Sequence, residues 1–329
     1  MGGLIKTFLV LIGLAALVLV GTFFVLRRAD IPYETLASRY ESAASRYIDL
    51  PGNVHMHYRD EGQRNGPTLL LVHGYSSSLH TWEPWVAKLG DEYRVVSIDL
   101  PGHGLTRAPA GWRESIPAYV DVVNDFAHAY GLTHFALAGN SMGGNIAWEY
   151  ALAHPDQLDA LILVDAAGWP PSAASKASEP SFFALLRNPA LAPLLREIDN
   201  TSFFTKGLRA SFSDPTRATD AMVTRYVELS RAPGHRDILL QIMLGARRYA
   251  TDNRLGAIRT PTLVLVGDDD HLIPPADAVR FHAAIRESQF VRLEHTGHLA
   301  QEENPDATSA AVRAFLHRHT APALEAIAH

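Results

Sequence analysis

The residues best placed to do chemistry are Gly139-Asn140-Ser141-Met142-Gly143, which follow the apolar run His134 to Ala138 and open a helical pattern that reaches His154. A G-x-S-x-G pentapeptide by itself arises by chance. Between a strand and a helix it forms a sharp turn that lifts a serine hydroxyl above a sheet edge, because its glycines permit a strained, closely packed backbone. Gly144 extends the permissive stretch. The helix that begins here leaves its first N–H groups unpaired and turns the positive end of its dipole toward the serine, so the Met142 N–H is positioned to stabilise developing negative charge.

A serine hydroxyl is a weak nucleophile at neutral pH, so this reading requires a histidine base and a carboxylate to orient it. Sixteen histidines compete. His298 has the placement the chain order Ser, acid, His demands, after the apolar run Gln289 to Leu293 and the turn Thr296-Gly297. His154 before Pro155, His128 on a helix, and His55 and His57 in an alternating strand read as structural or solvated. The acid is expected in Gly267-Asp268-Asp269-Asp270, where the run Thr262 to Val266 ends, since parallel sheets carry their catalytic groups at that edge. Asp165, after Leu161 to Val164, competes for the same imidazole. A second oxyanion donor is expected in His73-Gly74-Tyr75-Ser76, with the Tyr75 backbone N–H donating and His73 bracing the loop. Asp99-Leu100-Pro101-Gly102-His103-Gly104 reads as a structural turn, because a phosphate-cradling loop would run into a helix with a lysine or serine in place.

Strands and helices must hold these groups. Apolar β-type runs occur at Val54 to Tyr58, Thr68 to Val72, Arg94 to Ile98, His134 to Ala138, Leu161 to Val164, Thr262 to Val266 and Gln289 to Leu293. Helical patterns lie among them at Trp82 to Leu89, Ile116 to Tyr130, Met142 to His154, Ala276 to Ile285 and Pro305 to His317. The alternation predicts an α/β fold, a doubly wound, mostly parallel sheet covered on both faces, with the core in residues 46–167 and 256–320. Residues 168–255 show only helical stripes and read as an inserted helical cap. Its aromatic pairs Phe182-Phe183 and Phe203-Phe204 could line an apolar pocket or pack the cap's own core.

Residues 1–28 predict a membrane anchor. Thr7 to Leu26 is uncharged and mostly apolar, flanked by Lys6 and Arg27-Arg28, and its twenty helical residues span about 30 Å, the thickness of a bilayer's hydrocarbon. A cleaved signal would have a shorter apolar region followed by a small-x-small site, so an uncleaved single-pass helix is expected. Positive charge on both flanks leaves the orientation open. Residues 29–45 read as a polar, helix-prone linker.

The 329 residues, 47% hydrophobic, can bury a sizeable core. A net charge of −6 with interspersed signs gives no basic stripe for nucleic acid. Without any cysteine there is no disulfide framework, thiolate nucleophile or Cys-based metal site, and no cofactor is expected.

From about Arg46 to His317 the chain resembles the α/β-hydrolase superfamily, with His73-Gly74, the Asp99 to Gly104 turn, the Ser141 pentapeptide, Gly267-Asp268-Asp269-Asp270 and Gly297-His298 in family order. That family's acid stands in a G-x-x-D pattern shortly before a proline, which implies Asp270, with Pro274 following. The membrane helix, the S-M-G-G elbow and the cap are similar to the monoacylglycerol lipase group and to bacterial lipases and esterases. This implies acyl esters, glycerolipids among them, cleaved through an acyl-enzyme. Epoxide hydrolases and haloalkane dehalogenases use an aspartate where Ser141 stands. Carbon–carbon hydrolases of meta-cleavage pathways share G-N-S-M-G-G and form the alternative, although this chain has Tyr75-Ser76-Ser77-Ser78 in place of their Gly-rich loop and Leu299 where they commonly have tryptophan. A non-catalytic binding module is the second alternative; it would be expected to have lost a triad member.

Overall fold

A computed structural model describes residues 2–171, 188, 191–245 and 248–319. Its eight strands are β1 (Ser45–Leu50), β2 (Val54–Gly62), β3 (Thr68–Val72), β4 (Arg94–Ile98), β5 (Phe135–Asn140), β6 (Leu158–Val164), β7 (Thr262–Gly267) and β8 (Gln289–Leu293). They form one sheet in the order β1-β2-β4-β3-β5-β6-β7-β8. β2 is antiparallel to both β1 and β4, and every pair from β4 to β8 is parallel. Strand side chains alternate between faces, so β3 sends Leu70 and Val72 into one core cluster with Val96, Ile98 and Leu137. Leu69 and Leu71 enter the other, with Val95, Ala136 and Ala138. Two buried faces explain why these strands read as continuous apolar runs.

Ahead of the sheet come α1 (Gly2–Leu26) and α2 (Tyr33–Tyr40); α3 (Glu83–Leu89), α4 (Ile116–Tyr130) and α5 (Met142–Ala153) cross between strands. α4 shows how local sequence sets such bounds. Ser115 caps its start by accepting from the Ala118 N–H at 3.1 Å, Pro117 fits the first turn, and Gly131 closes it with φ +80°.

Between β6 and β7 lies an insert of α6 (Ala192–Leu195), α7 (Thr201–Ala210), α8 (Asp220–Ser230), α9 (His235–Leu244) and α10 (Asp252–Leu255), with no strand among its described residues. The chain finishes with α11 (Pro275–Ala284), α12 (Ala300–Glu303) and α13 (Pro305–His319). The insert has a small core of Leu208, Phe212, Ala218, Val223 and Val227, onto which Phe204 packs and which also takes in Leu299 beside His298. Phe203 is 51% exposed. Phe182 and Phe183 lie outside the described residues.

Two sequence expectations change. β1 went unread because Ser45, Arg46 and Asp49 dilute its apolar pattern; it is an edge strand whose pairing with β2, from Ser45 opposite Arg59 to Leu50 opposite Val54, makes the strand. The polar linker is docked. Leu36 of α2 is fully buried with Leu105, Leu229 and Ala232, with Ile31, Tyr33, Tyr40 and Tyr47 packed around them. Full burial of one leucine is worth about 1.5–3 kcal/mol, more than a free stalk would retain. None of the described side chains of α1 is buried in this way. Its stretch Ile5–Leu26, of mean hydropathy 2.9, is unburied and is long and apolar enough to cross a membrane.

Candidate active site

The carboxyl ends of β3, β5, β7 and β8 meet at one sheet edge, where a doubly wound sheet binds its ligands. β5 ends in the turn at Ser141, whose φ of 55° and ψ of −115° are a conformation that costs a side-chain-bearing residue about 1–3 kcal/mol. Neighbouring contacts enforce it. A Cβ at Gly139 would lie 2.1 Å from the Gly143 carbonyl oxygen, and a Cβ at Gly143 would lie 2.1 Å from that of Val72. The Ser141 N–H donates to the Val164 carbonyl at 3.0 Å, while the Ser141 carbonyl accepts from Asn145 at 3.1 Å and Ala167 at 3.0 Å. Met142 opens α5 and is buried.

His298 and Asp270 are both buried, and the imidazole Nδ1 stands 2.7 Å from Asp270 Oδ2. Asp270 is fixed in turn, its Oδ1 accepting from the Leu272 N–H at 2.7 Å and the Ile273 N–H at 2.9 Å. A carboxylate on Nδ1 selects the tautomer with the proton there, leaving Nε2 free to act as a base. Asn140 joins this pair to the serine turn: its Nδ2 donates to the His298 carbonyl at 3.0 Å. Among the described residues no hydrogen bond yet joins the Ser141 hydroxyl to the imidazole, and such bonds tighten when substrate binds.

Asp165 does not reach the imidazole; its Oδ1 accepts from the Gly267 N–H at 2.9 Å and its Oδ2 has no partner among the described residues. Burial, followed by the nearby charge of Asp270, pushes its carboxyl well above the usual carboxylate range. Of the two acids the sequence offered, Asp270 is the one bonded to His298.

The loop after β3 runs beside the serine, since a Cβ at Gly74 would lie 3.1 Å from the Ser141 Cβ. Tyr75 comes next in the chain, and its hydroxyl donates to the Leu239 carbonyl of the insert at 3.2 Å. His73 braces the loop: Nδ1 donates to the Gly74 carbonyl at 2.8 Å and Nε2 accepts from the Leu100 N–H at 3.1 Å. Burial holds His73 below the ordinary histidine range, as this neutral arrangement requires. The Asp99 turn is structural, with Asp99 accepting from the Leu79 N–H at 2.7 Å and the Leu105 N–H at 2.9 Å and pairing with His57 Nδ1 at 2.7 Å.

Sequence reasoning missed three residues that bind the insert to this edge. Glu303 is buried; its Oε2 accepts from the Gly297 N–H at 2.6 Å and the Ser213 N–H at 3.0 Å, and its Oε1 from the Asp214 N–H at 3.0 Å. It thus joins the residue before His298 to the end of α7. Glu302 Oε1 accepts from Thr81 at 2.6 Å and from Tyr226 at 3.4 Å, and the Tyr226 hydroxyl lies 3.1 Å from Ser77 Oγ in the loop after Tyr75. Burial pushes the Glu302 carboxyl up to about 7, with Thr81 and Arg225 opposing it. The available signal was two adjacent glutamates, Glu302 and Glu303, closing the short helix that follows His298.

Residues 67–305 match the family described as the alpha/beta hydrolase fold. The chain belongs to that family. Among its relatives is monoacylglycerol lipase ABHD6 of Bos taurus, 27% identical over 258 residues that cover 76% of this chain and 75% of that one. The chain also superposes on the crystal structure of a membrane phospholipase A, described as a novel bacterial virulence factor, with TM-score 0.70 and 27% identity over 97% of this chain and 99% of that one. A meta-cleavage product hydrolase from Pseudomonas fluorescens IP01 matches with TM-score 0.69 at 22% identity, over 83% and 97% of the two chains, a likeness of fold. Lipase and esterase relatives support hydrolase activity for this α/β-hydrolase.

Proposed function

We propose that the protein is a membrane-anchored serine hydrolase that cleaves carboxylic esters through an acyl-enzyme. The observation that carries this reading is a buried His298–Asp270 pair tied through Asn140 to a serine in a strained turn. His298 Nε2 takes the Ser141 proton as Oγ attacks the ester carbonyl, and Asp270 stabilises the imidazolium that forms. The Tyr75 and Met142 N–H groups hold the oxyanion. The tetrahedral intermediate collapses with the imidazolium protonating the departing alcohol; water, deprotonated by the same imidazole, then releases the acid and restores Ser141.

Residues 168–255 act as the cap that shapes the acyl and alcohol pockets, residues 46–167 and 256–320 as the catalytic core, and α1 as the single-pass anchor. Membrane attachment and the monoacylglycerol lipase and phospholipase relatives favour ester substrates that partition into lipid.

Hydrolysis of a p-nitrophenyl ester series of rising chain length, of a monoacylglycerol and of a meta-cleavage dienoate tests this. Ester turnover at least a hundredfold above dienoate turnover, abolished by Ser141→Ala, is the expected result. Preference for the dienoate would establish the carbon–carbon hydrolase reading, and full ester turnover by Ser141→Ala would end the serine mechanism.

A further inference from the structure

If α1 is a membrane anchor, the level at which the insert sits follows from geometry. The 22 residues Ile5–Leu26 form a helix about 33 Å long, enough to fill the hydrocarbon of a bilayer, so Arg27 and Arg28 come out at the headgroups. These residues do not lead to a free tether. The Arg28 N–H donates to the Glu197 carbonyl and the Asp199 N–H to the Leu26 carbonyl, both at 2.8 Å, with Arg27 and Ile198 paired as an isolated β-bridge. Side chains reinforce the junction, Arg27 with Glu197 at 2.5 Å and Arg28 with Asp199 at 2.8 Å. Farther along, Arg236 pairs with Asp30 at 2.5 Å, and Arg231 donates to the Ala29 carbonyl at 2.8 Å. Residues 197–199 are therefore held at the membrane surface.

The chain on either side of this junction exposes apolar side chains among polar ones such as Thr201, Ser202 and Arg209. Leu191 and Leu194 precede it at 37% and 49% exposure, and Phe203 follows at 51%. In α7 the exposed positions Phe203, Lys206, Gly207 and Ala210 recur at helical spacing on one face, opposite buried Leu208. One aromatic, small residues and a lysine able to reach upward form the surface of a helix lying in a headgroup layer. Outside α1 the other exposed large apolar side chains among the described residues are Tyr75, Tyr249, Leu272 and Val279, none of them in the segment joined to α1.

We propose that residues 191–210 of the insert are a second membrane contact, seated in the interface of the bilayer that α1 spans. The catalytic domain then lies on the membrane rather than swinging from it, and lipid esters reach the cap without crossing bulk water. This rests on the anchor reading of α1 and adds a surface that an anchor alone does not need.

The chain has no cysteine, so single cysteines can be introduced and labelled one at a time. Full-length protein in phosphatidylcholine–phosphatidylglycerol vesicles would carry an environment-sensitive fluorophore at Val18→Cys, Leu194→Cys, Phe203→Cys or Asn65→Cys. The last lies in the turn before β3, at the sheet edge away from the insert. Acyl-chain nitroxide lipids should quench the labels at 18, 194 and 203 and spare the one at 65. Quenching at 18 with 194 and 203 no different from 65 would overturn the second contact and leave the anchor standing. No quenching at 18 would remove the anchor and the proposal with it. As a functional check, Leu194→Asp should lower hydrolysis of a vesicle-borne ester about tenfold, the equivalent of about 1.4 kcal/mol of interfacial binding, with a short soluble ester hydrolysed as before. Equal loss on both substrates would count against it.

Discussion

The sheet edge and the insert above it are held by different means. At the edge, Ser141, Asp270 and the loop after β3 are fixed by backbone hydrogen bonds between adjacent parallel strands and their turns, so each has little freedom to move. The insert is fastened from outside by side chains such as the Glu303 carboxylate and the Glu302–Tyr226–Ser77 chain, and by the strap of residues 27–36, which pairs with it through backbone as well as side chains. This division means the proposed catalytic geometry is built into the fold, while access to it runs through an insert held largely by side-chain contacts. It also explains how Ser141 is held in its strained conformation, which the surrounding backbone determines.

Substitutions can break this comparison on either side. The largest effect is expected at the edge, where Asp270→Asn should lower kcat by about 10⁴ through loss of the correct imidazole tautomer. Asp165→Asn should stay within about tenfold, because Asp165 makes no hydrogen bond to His298 and an amide oxygen can still accept from the Gly267 N–H. Steady-state kinetics on a soluble ester separates the two, and a crippled Asp165→Asn with an active Asp270→Asn would reverse the assignment.

On the insert side, Leu36→Ala should remove about 2–5 kcal/mol of stability by opening a cavity where α2 meets the insert, read from denaturant unfolding. A loss near zero would mean that the strap is an undocked tether after all. Glu303→Gln places an amide NH₂ against backbone donors and should cost about 2–3 kcal/mol. Faster hydrogen exchange at Gly297, Ser213 and Asp214, together with a fall in kcat at unchanged KM, would identify Glu303 as a positioning residue for His298. Uniform destabilisation without that kcat change would make it a structural fastener only.

The smallest effect concerns pH. Glu302 is raised from its ordinary value to about 7, so it favours the folded state most when protonated. That contribution is complete below about 4.5 and is lost as pH rises through about 7. Glu302→Gln should therefore show a Tm that changes less than the wild type's between pH 5 and 8, with the two converging at the acid end. Identical pH profiles would show that Glu302 is not titrating in this range.

The edge was legible in the sequence because each of its parts is local. Gly139 to Gly144 announces a strand–turn–helix within six residues, and Gly267 to Pro274 and Gly297-His298 likewise sit where apolar strands end. The choice between Asp165 and Asp270 was not local; it depends on which turn the imidazole reaches across the ends of β6, β7 and β8. Glu303 was invisible for the same reason, since its partners Ser213 and Asp214 lie about ninety residues away in a segment whose helices carry no order signal. The polar composition of residues 29–45 suggested solvent exposure, and only the fold brings Leu36 against Leu105 and Leu229.

Reaction of the folded protein with a fluorophosphonate, followed by peptide mapping, tests the central claim most directly. Phosphonylation of Ser141 in the wild type, slowed by orders of magnitude in His298→Ala, is the predicted result. An unlabelled Ser141 in folded protein, or labelling as fast without the imidazole, would contradict it.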